Sequence, residues 1–223
     1  MKSNESLQKD VQEAIKWEPL LNAAEIGVTV KDGVVTLTGT VDSYVKKTEA
    51  EDAAKKVSGV SAVVENIEVK FGDWGAKEDG DIAREVLNAL KWSWQVPNDK
   101  IEVKVEKGWV TLEGELSWNY QKDAAKTAIK NLLGVKGVIN SIKIASEVKD
   151  AVEKSDIEKA IARNWSINDQ DIHVNVSGNR VTLSGEVSSL FQKDEAQRIA
   201  WNAPGVWFVD NEIAVQYDYL MMD

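Results

Sequence analysis

The residue types from which enzymes build nucleophiles and metal centres are scarce in this chain. Among 223 residues there is one histidine and no cysteine. Thiolate chemistry, disulfides and cysteine-ligated zinc are therefore excluded. In "DIHVN", His173 alternates with Ile172 and Val174, which places it on the face of a strand opposite the apolar one. Only Asp171 lies near it on that face, too little for a metal site or a nucleophilic relay. His173 reads as a solvated surface residue. Carboxylates are plentiful, yet no pair is set apart by spacing as a general acid and base. No catalytic residue, metal ligand or cofactor is expected, and the chain reads as non-enzymatic.

Contact chemistry remains, offered by lysines and by nine tryptophans that fall in a unit the chain repeats three times. Lys47, Lys122 and Lys193 occupy one position of that unit, near the start of its second helix. Such an ammonium, beside helix N-terminal amides, could take an anion or a lipid head group. The favoured alternative is that the aliphatic stem covers the seam between helix and sheet while the charge stays in water. Trp165 is in phase with a core stripe and is expected in the core. Trp17 and Trp92 fall two residues past that stripe and are expected to wedge against the next strand. Trp74, Trp118, Trp201 and Trp207 have no aromatic counterpart in the other copies, and Trp109 stands beside a turn where the others have Val34 and Arg180. "WNAPGVWF" puts Trp201, Trp207 and Phe208 around one helix-to-strand turn. Indoles private to one copy suit either the seams between copies or a bilayer interface or protein partner. The contact candidates are Trp109, Trp118, Trp201, Trp207 and Phe208, with the three lysines.

The repeat supplies the elements that position these residues. "DGVVTLTGTV" from Asp32 returns as "KGWVTLEGEL" from Lys107 and "GNRVTLSGEV" from Gly178. Its glycines are Gly39, Gly114 and Gly185, spaced by 114 − 39 = 75 and 185 − 114 = 71. Thirteen residues upstream of each, Ile26, Ile101 and Ile172 open alternating strands; twenty downstream stand Gly59, Gly134 and Gly205, each followed by valine. A helix precedes each pair of strands, with apolar residues four apart: Leu7, Val11, Ile15; Ile82, Val86, Leu90; Ile157, Ile161, Trp165. "SDIE" at Ser155 has the form of a capping box. A second helix rich in alanine follows the motif, its end marked by Gly59, Gly134 and Gly205 as residues that tolerate a left-handed conformation. The four residues missing from the third copy lie between its first helix and first strand. Val35, Leu37 and Val41 share one strand face with Gly39; threonines fill the other. The expected fold is α+β: three tandem two-layer α/β sandwiches over 1–70, 78–145 and 153–217. Each is helix-strand-strand-helix-strand with a three-stranded mixed sheet, helices on one face only. Units this small are marginal alone, so the copies are expected to pack on one another. Gly39 and its equivalents read as fold devices, letting a helix approach or the strand bend.

The net charge of −10 makes a nucleic-acid partner a poor match, because phosphate binding needs a basic surface. It also weakens purely electrostatic attraction to anionic lipid. The first residues lack the apolar core of a secretory leader, so the chain as written is expected to be cytoplasmic, or periplasmic if it is a mature form. No run approaches the roughly 18 apolar residues of a membrane-spanning helix.

The unit order, the motif "VxDGxVTLxGxV", a lysine eight residues after its last glycine and the later "GV" resemble the BON domain family of bacterial osmotically inducible and nodulation proteins. The first copy, "VKDGVVTLTGTVDSYVKKTEAEDAAKKVSGV", is nearest the pattern; the third departs at "SGNR" and at "NAPGVWFV". The resemblance implies a non-enzymatic module of stress or envelope function that binds phospholipid or another hydrophobic surface. A protein-interaction scaffold and a cytoplasmic ion-binding stress protein are the alternatives. No oxygen-ligand spacing of the EF-hand kind is present.

Overall fold

A computed structural model describes residues 3–72, 77–145, 152–167 and 172–216. The first copy comprises α1 (Asn4–Lys16), β1 (Ile26–Lys31), β2 (Val34–Val41), α2 (Tyr44–Lys55) and β3 (Ala62–Val69). The second comprises α3 (Asp79–Trp92), β4 (Ile101–Glu106), β5 (Trp109–Leu116) and α4 (Asn119–Ile129), then β6 (Gly137–Asn140) and β7 (Lys143–Ile144). The third comprises α5 (Lys154–Ala162), β8 (Ile172–Ser177), β9 (Arg180–Val187) and α6 (Leu190–Trp201), then β10 (Phe208–Asn211) and β11 (Ala214–Val215). The fold is α+β with one unit written three times. No helix among the described residues is long and apolar enough to cross a membrane.

In each sheet the middle strand pairs antiparallel with the strand before it and lies beside the one that follows its helix. That last strand runs parallel to the middle one in the second and third copies, where it is broken in two. The break does not shift register: Asn140 pairs with Leu112 and Lys143 with Glu115, both 28 apart. Its cause is an asparagine. The Asn140 carboxamide oxygen accepts from Ile142 N–H at 3.4 Å and its amide donates to the Lys122 carbonyl at 2.8 Å, competing with the ladder. Asn211 does the same with Ile213 and Lys193. Glu65 accepts from Ile67 N–H at 2.7 Å but has no amide to donate, and β3 is continuous.

The cores follow from periodicity. Leu7, Val11 and Ile15, Ile82, Val86 and Leu90, and Ile157 and Ile161 are all buried, as are Val35, Leu37 and Val41 and their counterparts. Asp32 and Gly33 (φ 51° and 77°) and Lys107 and Gly108 (52° and 82°) occupy the left-handed region, as two-residue hairpins of type I′ require. The third turn is positive only at Gly178.

Four expectations need correction. Gly39 and Gly114 do not make room for a helix. They have φ of 135° and 136°, and a Cβ would lie 2.0 Å from the Glu25 carbonyl oxygen and 2.1 Å from that of Lys100, backbone of the short 3-10 turns entering β1 and β4. Gly59, Gly134 and Gly205 have positive φ, but α2, α4 and α6 end four or five residues earlier; the glycines turn the chain toward its last strand. Ser155 lies inside α5, whose N-cap is Glu153 with no side-chain cap bond. The deletion in the third copy shortens the helix itself, from 14 residues in α3 to 9 in α5.

The contacts gather the chain into two compact units. One is made of Met1–Thr40, Thr48–Glu68 and Ala151–Asp223, the other of Val41–Lys47 and Val69–Asp150. Within the former, Gly59 N–H donates to the Ser188 carbonyl at 3.0 Å and Lys55 pairs with Asp194 at 3.2 Å. Burial lowers the Lys55 pKa, but Glu51 and Asp194 outweigh it and hold the ammonium above its ordinary value. Within the latter, Tyr44 is buried with Ile82, Val86 and Leu112.

Candidate functional site

Four indoles stand in water after the first helix stripe of the copies. Trp17 and Trp92 stand two residues beyond Ile15 and Leu90, the last buried positions of α1 and α3. Two residues turn the helix by about 200°, so a side chain there leaves from the face opposite the core. Trp17 is 81% exposed and Trp92 86%; neither wedges against a strand. Trp165 is 96% exposed, not a core residue. Helix α5 stops at Ala162 before its stripe can reach position 165, and Ile167 is buried instead. In the second copy Val96 is the buried residue and Trp94, two before it, is 90% exposed. Trp94 and Trp165 thus hold one position, two residues ahead of Val96 and Ile167.

Every copy therefore projects at least one indole from the stretch between its first helix and first strand. The turn carrying Trp165 is built: Asn164 accepts from Ser166 N–H and hydroxyl at 3.0 and 2.7 Å and donates to Glu195 at 2.8 Å. Exposed Lys16, Lys91 and Arg163 stand one or two residues before Trp17, Trp92 and Trp165. Leu20 is exposed beside Trp17 in sequence.

The expected contact residues are scattered by comparison. Trp201 is partly buried against the core of the third copy. Trp118 is half-buried, 6.4 Å from Tyr120 ring to ring, at an N-cap where the third copy has Ser189. Its backbone N–H donates to the Gln121 side-chain oxygen at 3.1 Å. Trp207 and Phe208 are exposed, and the Arg180 guanidinium lies 3.8 Å from the Phe208 ring centroid. Trp109 lies on the open sheet face with Lys47 Nζ 5.9 Å from its ring centroid. Lys122 donates to the Ile142 carbonyl at 2.8 Å, and burial pushes its pKa down. Each of the three lysines is half-buried. His173 is exposed, and no group of three or more potential metal ligands occurs among the described residues. Trp74 and Asp171 lie outside them.

Sequence reasoning assigned Trp17, Trp92 and Trp165 to packing and did not single out Trp94. The available signal was phase: Trp17 and Trp92 sit off their stripes, on the polar face, next to lysine.

Comparison with known proteins gives this architecture relatives. The family profile described as the BON domain matches residues 3–70, 78–146 and 149–217. "Osmotically-inducible protein Y" of Escherichia coli (strain K12) is 32% identical over 127 residues, 55% of this chain and 63% of that protein. The chain thus spans less than two thirds of that relative's length. Two solved structures of CdsD, a structural protein of the type III secretion system of Chlamydia trachomatis, are each 17% identical. They have TM-scores of 0.26 and 0.23, covering 96% and 93% of this chain and 99% and 91% of theirs. Likenesses that loose bear no weight for this chain.

Proposed function

The chain belongs to the BON domain family, and from that membership we propose that it is a non-enzymatic, osmotic-stress-related protein that binds phospholipid surfaces. The relation to osmotic stress is taken from the name of the E. coli relative. The observation that carries the lipid reading is the set of indoles Trp17, Trp92, Trp94 and Trp165, all more than four-fifths exposed, with at least one following the first helix stripe of each copy. A tryptophan held this far into water contributes nothing to a core and costs solubility. Its amphipathic ring is suited to the head-group level of a bilayer. Lys16, Lys91 and Arg163 stand where they would reach lipid phosphate as the indoles insert. With a net charge of −10, insertion of rings rather than long-range attraction supplies the affinity, so salt should weaken it little.

Co-sedimentation of the full chain with phosphatidylcholine vesicles, and with vesicles carrying phosphatidylglycerol, tests this at low and high salt. Binding to both, with a blue shift in tryptophan emission, is expected. Failure to sediment with either kind of vesicle sinks the proposal.

A further inference from the structure

The first strand of each sheet lies at an edge. β1, β4 and β8 pair on one side only, with β2, β5 and β9. Among the described residues no strand and no loop takes the hydrogen bonds of their other side. The hairpin turn fixes which groups those are. Lys31 and Val34 close the first turn, and the closing pair of a two-residue hairpin exchanges both of its bonds inward. Alternation then points the N–H and C=O of Val30, Val28 and Ile26 outward. The same alternation, counted from Ser177 and Arg180, exposes those of Val176, Val174 and Ile172.

Beside two of these edges the surface is hollowed. A groove of about 220 Å³ lies between α1 and β1, lined by Gln12, Glu13, Ile15, Lys16, Ile26 and Val28 among others. One of about 340 Å³ lies between α5 and β8, lined by Glu158, Lys159, Ile161, Ala162, Ile172 and Val174. Both have an apolar floor made by the inward side chains of the edge strand and the last turn of the helix. The second copy's edge is defended differently. On β4 the solvent-facing residues are Glu102, Lys104 and Glu106, with Lys104 and Glu106 paired at 3.2 Å. Such charges discourage a further strand. At the position of Lys104, β1 has Thr29 and β8 has Asn175.

We propose that the edges of β1 and β8 bind an extended polypeptide segment by strand addition, with every second side chain of the segment entering the groove beside the helix. An open ladder of alternating donors and acceptors is satisfied in full only by another extended backbone. An acyl chain fills a groove but leaves the ladder unmet. The period of two in the added strand delivers alternate apolar side chains to the apolar floor. The acidic chain favours a segment with basic flanks. This site involves none of the exposed indoles; it shares only Lys16, at the rim of the groove beside β1, with the lipid reading.

The test is fluorescence anisotropy of the full chain with a labelled decapeptide that alternates valine and threonine between lysine ends. Saturable binding is expected. N-methylation of one alternate set of peptide amides should weaken it about tenfold or more, since several ladder bonds are lost together, while methylation of the other set leaves it unchanged. The double variant Thr29→Lys, Asn175→Lys, which copies the charge of β4, should weaken binding as well, with an unaltered melting temperature. No binding, equal loss from both methylated sets, or undiminished binding to the double variant overturns the proposal. So does displacement of the peptide by dodecylphosphocholine but not by unlabelled peptide, which would give the grooves to an acyl chain.

Discussion

Trp109 and Gly137 face each other across β5 and β6, and the indole covers the glycine so closely that a Cβ there would come within 2.4 Å of the ring. The third copy reverses the arrangement: the aromatic residue is Phe208 on the following strand, and Arg180 on the middle strand lies over it. A ring on one strand and a partner that accommodates it on the next recur with the roles exchanged. Cross-strand pairs of this kind are how a sheet face is stabilised without a helix above it.

Gly137→Val should displace the Trp109 ring. Overpacking of this kind costs about 1–2 kcal/mol, to be read by denaturant unfolding. A shifted indole N–H resonance would identify Trp109 as the group that moved, and an unchanged resonance would contradict the geometry.

Two glycines should respond to alanine with opposite signs. At Gly114 the side chain would meet a backbone carbonyl while φ is 136°, and strain of that order costs about 3 kcal/mol. Gly80 lies in α3, where an added methyl group would meet nothing within 4 Å. There alanine should stabilise by about 0.5 kcal/mol through helix propensity. Thermal melts of the two variants check both.

Replacing Trp17, Trp92, Trp94 and Trp165 together by serine should leave the melting temperature nearly unchanged and reduce vesicle sedimentation at least about tenfold, as rings that contribute to no core allow. Trp201→Ser should do the reverse. It removes packing from the core of the third copy, at a cost of about 2 kcal/mol, and should leave lipid binding of the folded fraction intact.

Lys122→Met keeps the stem and removes the donor to Ile142. Losing that bond should cost about 1 kcal/mol, partly offset because the buried ammonium is already disfavoured. Vesicle binding should be unaffected, which separates a seam lysine from a head-group site.

Glu195 sets a pH dependence. Hydrogen bonds from Arg198 hold its carboxyl below the ordinary value; burial opposes them and Asn164 assists. Its folded value is depressed, so the stabilisation is fully present above the ordinary glutamate value of about 4.3 and is lost as pH falls through the lower, folded one. Urea unfolding across that acid range should show a steeper loss for the native chain than for Glu195→Gln.

The repeat made the architecture legible: period-two and four-residue spacings found the strands and helices, and the glycine motif located the hairpins. Phase was harder to follow where the copies differ in length. Trp165 fits the stripe of Ile157 and Ile161 on paper, but the third copy lost a helical turn, so spacing from the helix start ceased to apply. Counting back from Ile172 would have aligned it with Trp94. The strand breaks at Asn140 and Asn211 were invisible to periodicity because register is preserved through them. The role of Gly39 depended on a backbone oxygen fourteen residues earlier in the chain, which alternation along one strand cannot report.

The bond between Gly59 and Ser188 and the ion pair between Lys55 and Asp194 join residues 139 apart in the latter case. During synthesis the first copy emerges complete long before its contact partner exists. At about 5–20 residues per second, that interval is on the order of ten seconds. For that time the nascent first copy presents a face that is covered in the finished molecule. A ribosome-bound chain halted before α6 should therefore be cut by protease near Lys55 more readily than one released at full length.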